Sequence, residues 1–333
     1  MTAFRALALQ TRTTAVNAAG DPRAEIRAAV DRVGRQVGAS KAWIGRDLRL
    51  VVLPEYALTG FPMGESVAEW RDKAALDPDG PEYLALAEIA ARHDVFLCVN
   101  AYERDGHFPE LYFQACVVLS PAGEAVLRYR RLHSMFSPSP YDVWDRYLRI
   151  YGIDGVLPVA RTEIGALAAI ASEEILHPEL ARALALRGAE VLCNPTCEAS
   201  SPMLTAKAVA RRARAVENLA YVVSANTGGL AGIAIPGDST NGGSELIDYE
   251  GRVLAQAGPG ESLVAAAEVD VAALRRFRRR PGLDNLLSRV KTRLWAEEYG
   301  RHDGERPDGL AGGAPERAWF AARQAETIER LHG

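Results

Sequence analysis

The alternation of short, mostly apolar runs with amphipathic stretches is the feature that most constrains how this chain folds. Residues 48–53 and 166–171 are apolar runs of strand length, while residues 21–37 and 178–187 carry apolar side chains at helical spacing. Strands that are apolar on both faces need a covering layer on each side. The pattern therefore predicts an α/β domain in which sheet strands are buried beneath helices.

The rest of the chain continues this alternation. Further strands are predicted at residues 4–10, 95–102, 111–119, 189–194, 220–226, 243–248 and 262–269, and further helices at 81–93, 204–219 and 316–331. Residues 1–270 hold the predicted strands and form one domain, and residues 271–333 form a helical C-terminal extension. Its last helix carries Trp319, Phe320 and Ile328, an apolar surface that we expect to dock on a neighbouring subunit of a homodimer or larger oligomer.

Charge and hydropathy exclude several classes of protein. The 39 Lys and Arg against 43 Asp and Glu give a net charge of −4, which argues against nucleic acid as a partner. The basic run at residues 275–281 is therefore interpreted as a solvated helix end or a subunit contact. No run approaches the roughly 18 apolar residues of a membrane span, and no apolar leader segment follows the N-terminus, so we expect no membrane partner.

The cysteines and histidines bear on compartment and on metals. The four cysteines are too sparse for a disulfide framework, which favours a reducing, cytoplasmic setting. The six histidines show no ligand spacing, and Cys193 and Cys197 have no second pair beside them. We therefore expect no metal and no other cofactor.

Polar residues that directly follow the buried runs are the candidates for a functional site, because sites in α/β sheets lie beyond the carboxyl ends of strands. Glu55 follows the run at 48–53, and Ser172 follows the run at 166–171. By position alone, they could also be an exposed loop glutamate and a helix-capping serine. The basic segment 127–133 follows a strand and a turn, so one of its arginines is a candidate inward-facing cation.

Several segments, in order along the chain, carry a resemblance to one known family. They are Leu53-Pro54-Glu55-Tyr56 with Gly60-Phe61-Pro62, Tyr129-Arg130-Arg131-Leu132-His133, Ile170-Ala171-Ser172-Glu173-Glu174, Arg214-Ala215-Val216-Glu217-Asn218 and Ser224-Ala225-Asn226. Together they resemble the nitrilase, or carbon–nitrogen hydrolase, superfamily. The resemblance implies a four-layer αββα sandwich, usually dimerised, that hydrolyses amides or nitriles.

The resemblance also assigns roles to individual residues. The family's triad is a glutamate base, a lysine that stabilises the oxyanion and a nucleophilic cysteine; their places here are taken by Glu55, Arg131 and Ser172. A second glutamate that the family often carries after the lysine has no clear counterpart, and Asp142 is the nearest acid. The stretch from Arg131 to Ser172 is longer than usual, which predicts an insertion around residues 142–154 that reshapes the pocket.

These replacements change the chemistry in a defined direction. An alkanol is much less acidic than a thiol, whose pKa is about 8.5, so Ser172 needs a better-placed base than a cysteine would. Arg131 can hold an oxyanion, but with a pKa above about 12 it cannot exchange protons. The usual amidase mechanism of the family should therefore be impaired.

The surrounding pocket is expected to suit a small polar molecule with an apolar or aromatic part. Its candidate residues are Tyr56, Phe61, Asp142, Trp144, Glu173, His177, Thr196 and Cys197. Alternatively, Trp144 belongs to the core and Cys197 is a small wall or core residue.

Three interpretations stay open at this point. The chain is an amidase-like enzyme acting on the C–N bond of a small amide through an altered Glu–Arg–Ser site, a catalytically impaired relative that binds a small carbonyl or carboxylate ligand, or a Cys-to-Ser variant of an active amidase. The arginine argues against the third as a full explanation, because trapping a ligand needs only one change. The intact segments around Glu55 and Asn226 favour an enzyme.

Overall fold

The computed structural model describes residues 3–199, 204–302, 304–310 and 315–332. The strands are β1 (Ala3–Ala8), β2 (Thr13–Thr14), β3 (Leu48–Val52), β4 (Phe96–Glu103), β5 (Phe113–Leu119), β6 (Ala125–Arg130), β7 (Ala160–Thr162), β8 (Gly165–Ala169), β9 (Val191–Pro195), β10 (Tyr221–Ala225), β11 (Leu230–Ala231), β12 (Glu245–Ile247), β13 (Val253–Gln256) and β14 (Ala266–Asp270). The helices are α1 (Pro22–Ile44), α2 (Val67–Ala74), α3 (Pro81–His93), α4 (Trp144–Val156), α5 (Pro178–Leu186), α6 (Ala206–Asn218), α7 (Val271–Arg279), α8 (Thr292–Tyr299) and α9 (Arg317–His332).

Two six-stranded sheets form the framework of the described residues. The first has the order β14-β1-β3-β4-β5-β6, and the second has the order β13-β12-β10-β9-β8-β7. Strands β1, β3 and β4 run parallel, as do β8, β9 and β10, and the outer strands pair antiparallel. In each sheet, the carboxyl ends of the central parallel strands therefore lie at the same edge. Functional sites of α/β proteins lie at this edge.

The two sheets pack face to face between outer layers of helices. Leu50 and Cys98 of the first sheet share one buried cluster with Leu167 and Cys193 of the second. Helices α1 and α3 cover the other face of the first sheet through a second buried cluster, and α5 and α6 pack on the second sheet. The predicted four-layer αββα sandwich is confirmed.

Some elements were not predicted, and β6 shows why. Its sequence mixes apolar with basic residues, and a basic cluster is usually solvated, so no buried strand was predicted here. In the structure Arg128 is paired with the buried Glu103, and Arg130 lies 2.5 Å from Asp105. Buried carboxylates on neighbouring segments thus neutralise the arginines of this strand. Helix α4 occupies the stretch in which the sequence predicts an insertion.

Two arginines of the basic run at residues 275–281, both on helix α7, form hydrogen bonds with other parts of the same chain. The Arg275 guanidinium donates to the Glu190 carboxylate at 2.6 and 2.9 Å. The Arg278 guanidinium donates to the carbonyl oxygens of Leu219, at 2.9 Å, and Ala189, at 2.6 Å. These two arginines therefore tie the helix to the second sheet and its covering helix.

The last helix, α9, packs in part on its own chain. Phe320 is buried, and Trp319 lines a cavity whose other wall includes Glu173 and His177. Ile328 lines the same cavity but is half exposed. The homo-oligomer stays a prediction, and a monomeric mass at micromolar concentration would count against it. No helix within the described ranges is long and apolar enough to cross a membrane.

Candidate active site

Glu55 joins the strand ends of the two sheets. It follows β3 of the first sheet, and its backbone N–H donates to the carbonyl of Thr196, which follows β9 of the second, at 3.2 Å. Its side-chain Oε2 accepts the backbone N–H of Cys197 at 3.0 Å. The carboxylate is buried at 2% exposure. Its position therefore depends on both sheets, and the site lies where their carboxyl ends meet.

Arg131 forms a buried ion pair with this carboxylate. It follows the end of β6, and its Nη1 lies 3.2 Å from Glu55 Oε1. Gln114, on β5, bridges the pair: its Nε2 donates to Glu55 Oε1 at 2.8 Å, and its Oε1 accepts Arg131 Nη1 at 2.9 Å. Burial acts to lower the pKa of Arg131, but the neighbouring Tyr56 and Glu55 raise it above its ordinary value. The guanidinium is therefore a fixed cation.

The other edge of the Arg131 guanidinium faces the serine segment. Its Nη2 is paired with the half-exposed carboxylate of Glu173, the residue after Ser172, and its Nε donates to the carbonyl of His133 at 2.6 Å. A guanidinium has five N–H groups. One Nη2 hydrogen is therefore left without an acceptor among the described residues, and it can be donated to a ligand oxygen.

Ser172 occupies a strained turn just after β8. Its φ is 48°, in the left-handed region that costs a non-glycine residue roughly 1–2 kcal/mol. Its side chain is buried, and its Oγ lies 3.0 Å from Lys207 Nζ and 3.5 Å from Thr196 Oγ1. Within the described ranges, neither Glu55 nor Arg131 is hydrogen-bonded to this hydroxyl. The predicted trio thus meets around Thr196 and Glu173 without direct contact from the serine oxygen to its two charged partners.

Glu174 holds the serine turn against the end of β6. This fully buried carboxylate accepts the Tyr129 hydroxyl at 2.7 Å, the backbone N–H groups of Leu132 and His133 at 2.8 and 2.9 Å, and that of Ala171 at 3.2 Å. Burial acts to raise its pKa, but hydrogen bonds from His133 hold the pKa of Glu174 below its ordinary value. The ionised group therefore links the segments that carry Arg131 and Ser172.

Tyr56 and Phe61 lie beside the ion pair, where pocket residues were predicted. The Tyr56 hydroxyl accepts Arg131 Nη1 at 3.4 Å and donates to Gln114 Oε1 at 3.5 Å. Burial and the Glu55 charge raise the pKa of Tyr56 well above its ordinary value, so the phenol keeps its proton. The Phe61 ring centroid is 5.5 Å from that of Tyr56. Together they form an aromatic wall on one side of Arg131.

Cys197 lies next to the carboxylate but is not activated as a nucleophile. Burial and the charge of Glu55 raise the pKa of its thiol to about 12. A thiol in that range is almost entirely protonated near neutral pH, and the thiolate is the reactive form. Cys197 therefore acts in this site through its backbone N–H, and Thr196 through its hydroxyl near Ser172.

The remaining predicted pocket residues divide between a cavity and a separate aromatic cluster. Glu173, His177 and Asp142 line a cavity of about 480 Å³ that α9 covers. The Asp142 carboxylate accepts the backbone N–H and hydroxyl of Ser139 at 2.8 and 2.9 Å, and burial raises its pKa. Trp144 instead packs against an aromatic cluster with Tyr147 and is not among the described lining residues.

Four residues of the site were not predicted, and the sequence indicates some of them more clearly than others. Gln114 is a polar residue inside the apolar run 111–119, which is a detectable anomaly. Asn100, inside the predicted strand 95–102, accepts Gln114 Nε2 at 3.0 Å and is a similar case. Lys207 and Glu174 have no such signal, because many helix and loop positions carry charges. In the described part of the chain, no three His, Cys, Asp or Glu side chains are grouped to hold a metal ion.

The fold and site together define a class of protein. It is an αββα sandwich in which a buried carboxylate, a buried cation and a strained polar turn residue meet at the carboxyl ends of the strands. The chain belongs to the carbon–nitrogen hydrolase family, whose model matches residues 26–279. The expected family is thereby confirmed.

Individual relatives agree with this assignment. Formamidases from Pseudomonas syringae and Bacillus thuringiensis are each 26% identical to this chain, over 254 and 279 residues; the matches cover 76% and 82% of this chain and 68% and 77% of theirs. The solved carbon–nitrogen hydrolase of Helicobacter pylori has a TM-score of 0.66 at 19% identity, covering 89% of this chain and 98% of its own. An amidase of the nitrilase superfamily from Nesterenkonia has a TM-score of 0.61 at 18% identity, covering 89% and 97%. These structures share the fold.

Proposed function

We propose that this protein hydrolyses the C–N bond of small amides, with Ser172 as nucleophile, Arg131 as oxyanion ligand and Glu55 as the residue that fixes Arg131. The observation that carries the proposal is the buried serine at φ 48° beside a buried cation. Such strain persists only where the surrounding structure enforces it, and it clusters at functional sites. The formamidase relatives support a small acyl group in the substrate.

In the proposed reaction, Ser172 Oγ attacks the amide carbon and the carbonyl oxygen becomes an oxyanion. The Nη2 hydrogen of Arg131 that has no described acceptor donates to this oxygen, and Glu55 and Gln114 hold the guanidinium in place. Fixed donors aimed at a developing charge in a buried site stabilise the transition state strongly. The C–N bond then breaks, the amine leaves, and water releases the acyl group from the serine.

Ammonia release from a panel of small amides, formamide included, tests this proposal. Wild-type protein is expected to release ammonia, and Ser172→Ala is expected to lose the activity while keeping the wild-type melting temperature. Ser288→Ala, in the C-terminal extension, is the matched control and should be unaffected. The absence of turnover above buffer across the panel would overturn the proposal.

A second candidate function is to bind a small carbonyl or carboxylate ligand without turning it over. It is favoured by one observation: the Ser172 hydroxyl is not bonded to the Glu55 carboxylate, which already accepts from Gln114, Arg131 and Cys197. Such a ligand would raise the melting temperature with concentration, as a ligand that binds the folded state must. Stabilisation by formate or acetate, combined with no turnover of any amide, would favour this candidate over the enzyme.

A further inference from the structure

We propose that the Lys207 side-chain amine is the base that takes the hydroxyl proton of Ser172, so that the working pair of this site is a serine and a lysine from different elements. The inference rests on the proposed function for the role of Ser172 as nucleophile. Lys207 lies outside the segments that suggest the Glu–Arg–Ser trio, and its role follows from its contact with the serine oxygen.

The geometry places the amine within proton-transfer distance. Lys207 Nζ lies 3.0 Å from Ser172 Oγ, within the range required of a general base. Lys207 is in the first turn of α6, and the Thr205 side chain caps this turn by accepting the backbone N–H of Ala208 at 3.1 Å. The lysine is therefore presented by a capped helix end.

The lysine is not used elsewhere in the described structure. No carboxylate of the described residues lies within ion-pair distance of its Nζ, and its recorded hydrogen bond is the one to Ser172. The side chain is half-buried, so a solvent-exposed role does not account for its position. A long amine side chain directed at a buried hydroxyl, with no acid beside it among the described residues, is the arrangement expected of a Ser–Lys pair.

Glu55 is the competing base, and its contacts argue against it. Its Oε1 accepts from Gln114 and Arg131, and its Oε2 accepts from the backbone of Cys197. Both carboxylate oxygens are therefore already occupied by donors other than the serine hydroxyl. It also makes no hydrogen bond to Ser172 in the described structure. The proton of the hydroxyl therefore goes to Lys207.

Each step of the proposed reaction balances. The amine of Lys207 takes the proton from Ser172 Oγ as the O–C bond forms, and the carbonyl π electrons become the oxyanion. When the oxyanion collapses, the C–N bond breaks and the ammonium of Lys207 returns the proton to the leaving nitrogen. Water then attacks the ester, giving its proton to the same amine, and the proton passes to Ser172 Oγ as the O–C bond breaks.

The test uses a probe that does not depend on amide turnover. Phenylmethanesulfonyl fluoride sulfonylates an activated serine: an O–S bond forms, fluoride leaves and the base takes the proton. Intact mass and peptide mapping of the full chain are expected to show one label, on Ser172, in the wild type. Lys207→Met and Lys207→Arg should each be labelled at least about 100-fold more slowly, the lower range of general-base effects. Arginine keeps a long nitrogen-bearing side chain but cannot accept a proton.

Controls separate this inference from the proposed function. Lys291→Met, at an exposed lysine, should be labelled at the wild-type rate, and the Lys207 variants should keep the wild-type melting temperature. A wild-type rate in Lys207→Arg, or no label on Ser172 in the wild type, would overturn the assignment of Lys207. Lysine-dependent labelling without turnover of any amide would leave the pair standing and reject the amidase.

Discussion

Glu55 Oε1 and Arg131 Nη1 lie 3.2 Å apart in the interior of the protein, and both side chains are more than nine-tenths buried. Removing Arg131 leaves the buried Glu55 carboxylate without its cation, which is among the larger single-residue penalties in proteins. The same pair fixes the guanidinium edge that faces the serine turn. Stability and activity therefore depend on one interaction, and they can be measured separately.

Arg131→Met is expected to destabilise the fold by about 3–5 kcal/mol, because it leaves the buried Glu55 carboxylate without its cation. Urea unfolding followed by circular dichroism measures this directly. Arg293→Met, at an exposed arginine, is the matched control and should change stability by less than about 0.5 kcal/mol. Equal stability of Arg131→Met and wild type would mean that the ion pair contributes nothing to folding.

Glu55→Gln is expected to lower amide hydrolysis at least about 100-fold, because a neutral amide cannot hold the Arg131 guanidinium by charge. Initial rates of ammonia release measure the effect. Glu88→Gln, at an exposed glutamate of α3, should behave as wild type. Unchanged rates in Glu55→Gln would remove this carboxylate from the mechanism.

The double variant Arg131→Lys with Ser172→Cys restores the residue types of the family's triad, so it is expected to gain amide hydrolysis. A thiol has a pKa of about 8.5 and needs less activation than an alkanol. The same panel of amides measures the gain against both single variants. If the double variant is no faster than wild type, the pocket geometry has diverged along with the residues.

Glu174 predicts a pH dependence of stability. Its pKa is lower in the folded protein than its ordinary value of 4.5, so the folded state favours the carboxylate. The resulting stabilisation is fully present above about pH 4.5 and is lost as the pH falls through the folded-state pKa. Unfolding free energies between pH 7 and pH 3 should therefore fall more steeply for wild type than for Glu174→Gln. Parallel curves for the two proteins would contradict this role.

The sequence predicted the layers well, because the layers depend on local pattern. The helix Pro81–His93 was bounded correctly by its apolar spacing and by Pro81 at its start. Strand β6 was missed, because Arg128 and Arg130 are neutralised by carboxylates that come from other segments. No local pattern contains that information.

The candidate site was predictable in part for the same reason. The motif order along the chain located Glu55, Arg131 and Ser172 at strand ends. It could not locate Lys207, because the contact with Ser172 depends on the position of the first turn of α6 relative to the turn after β8. Trp144 was a candidate for either the pocket or the core, and α4 places it against an aromatic cluster.

The central claim is that Ser172 carries the acyl group during the reaction, and intact mass spectrometry of acid-quenched mixtures of protein and a small amide tests it most directly. The account predicts that wild-type protein gains the mass of one acyl group, that peptide mapping places it on Ser172, and that Ser172→Ala gains none. Ammonia release by wild-type protein with no such adduct at any quench time, or with the adduct on Cys197, would contradict it.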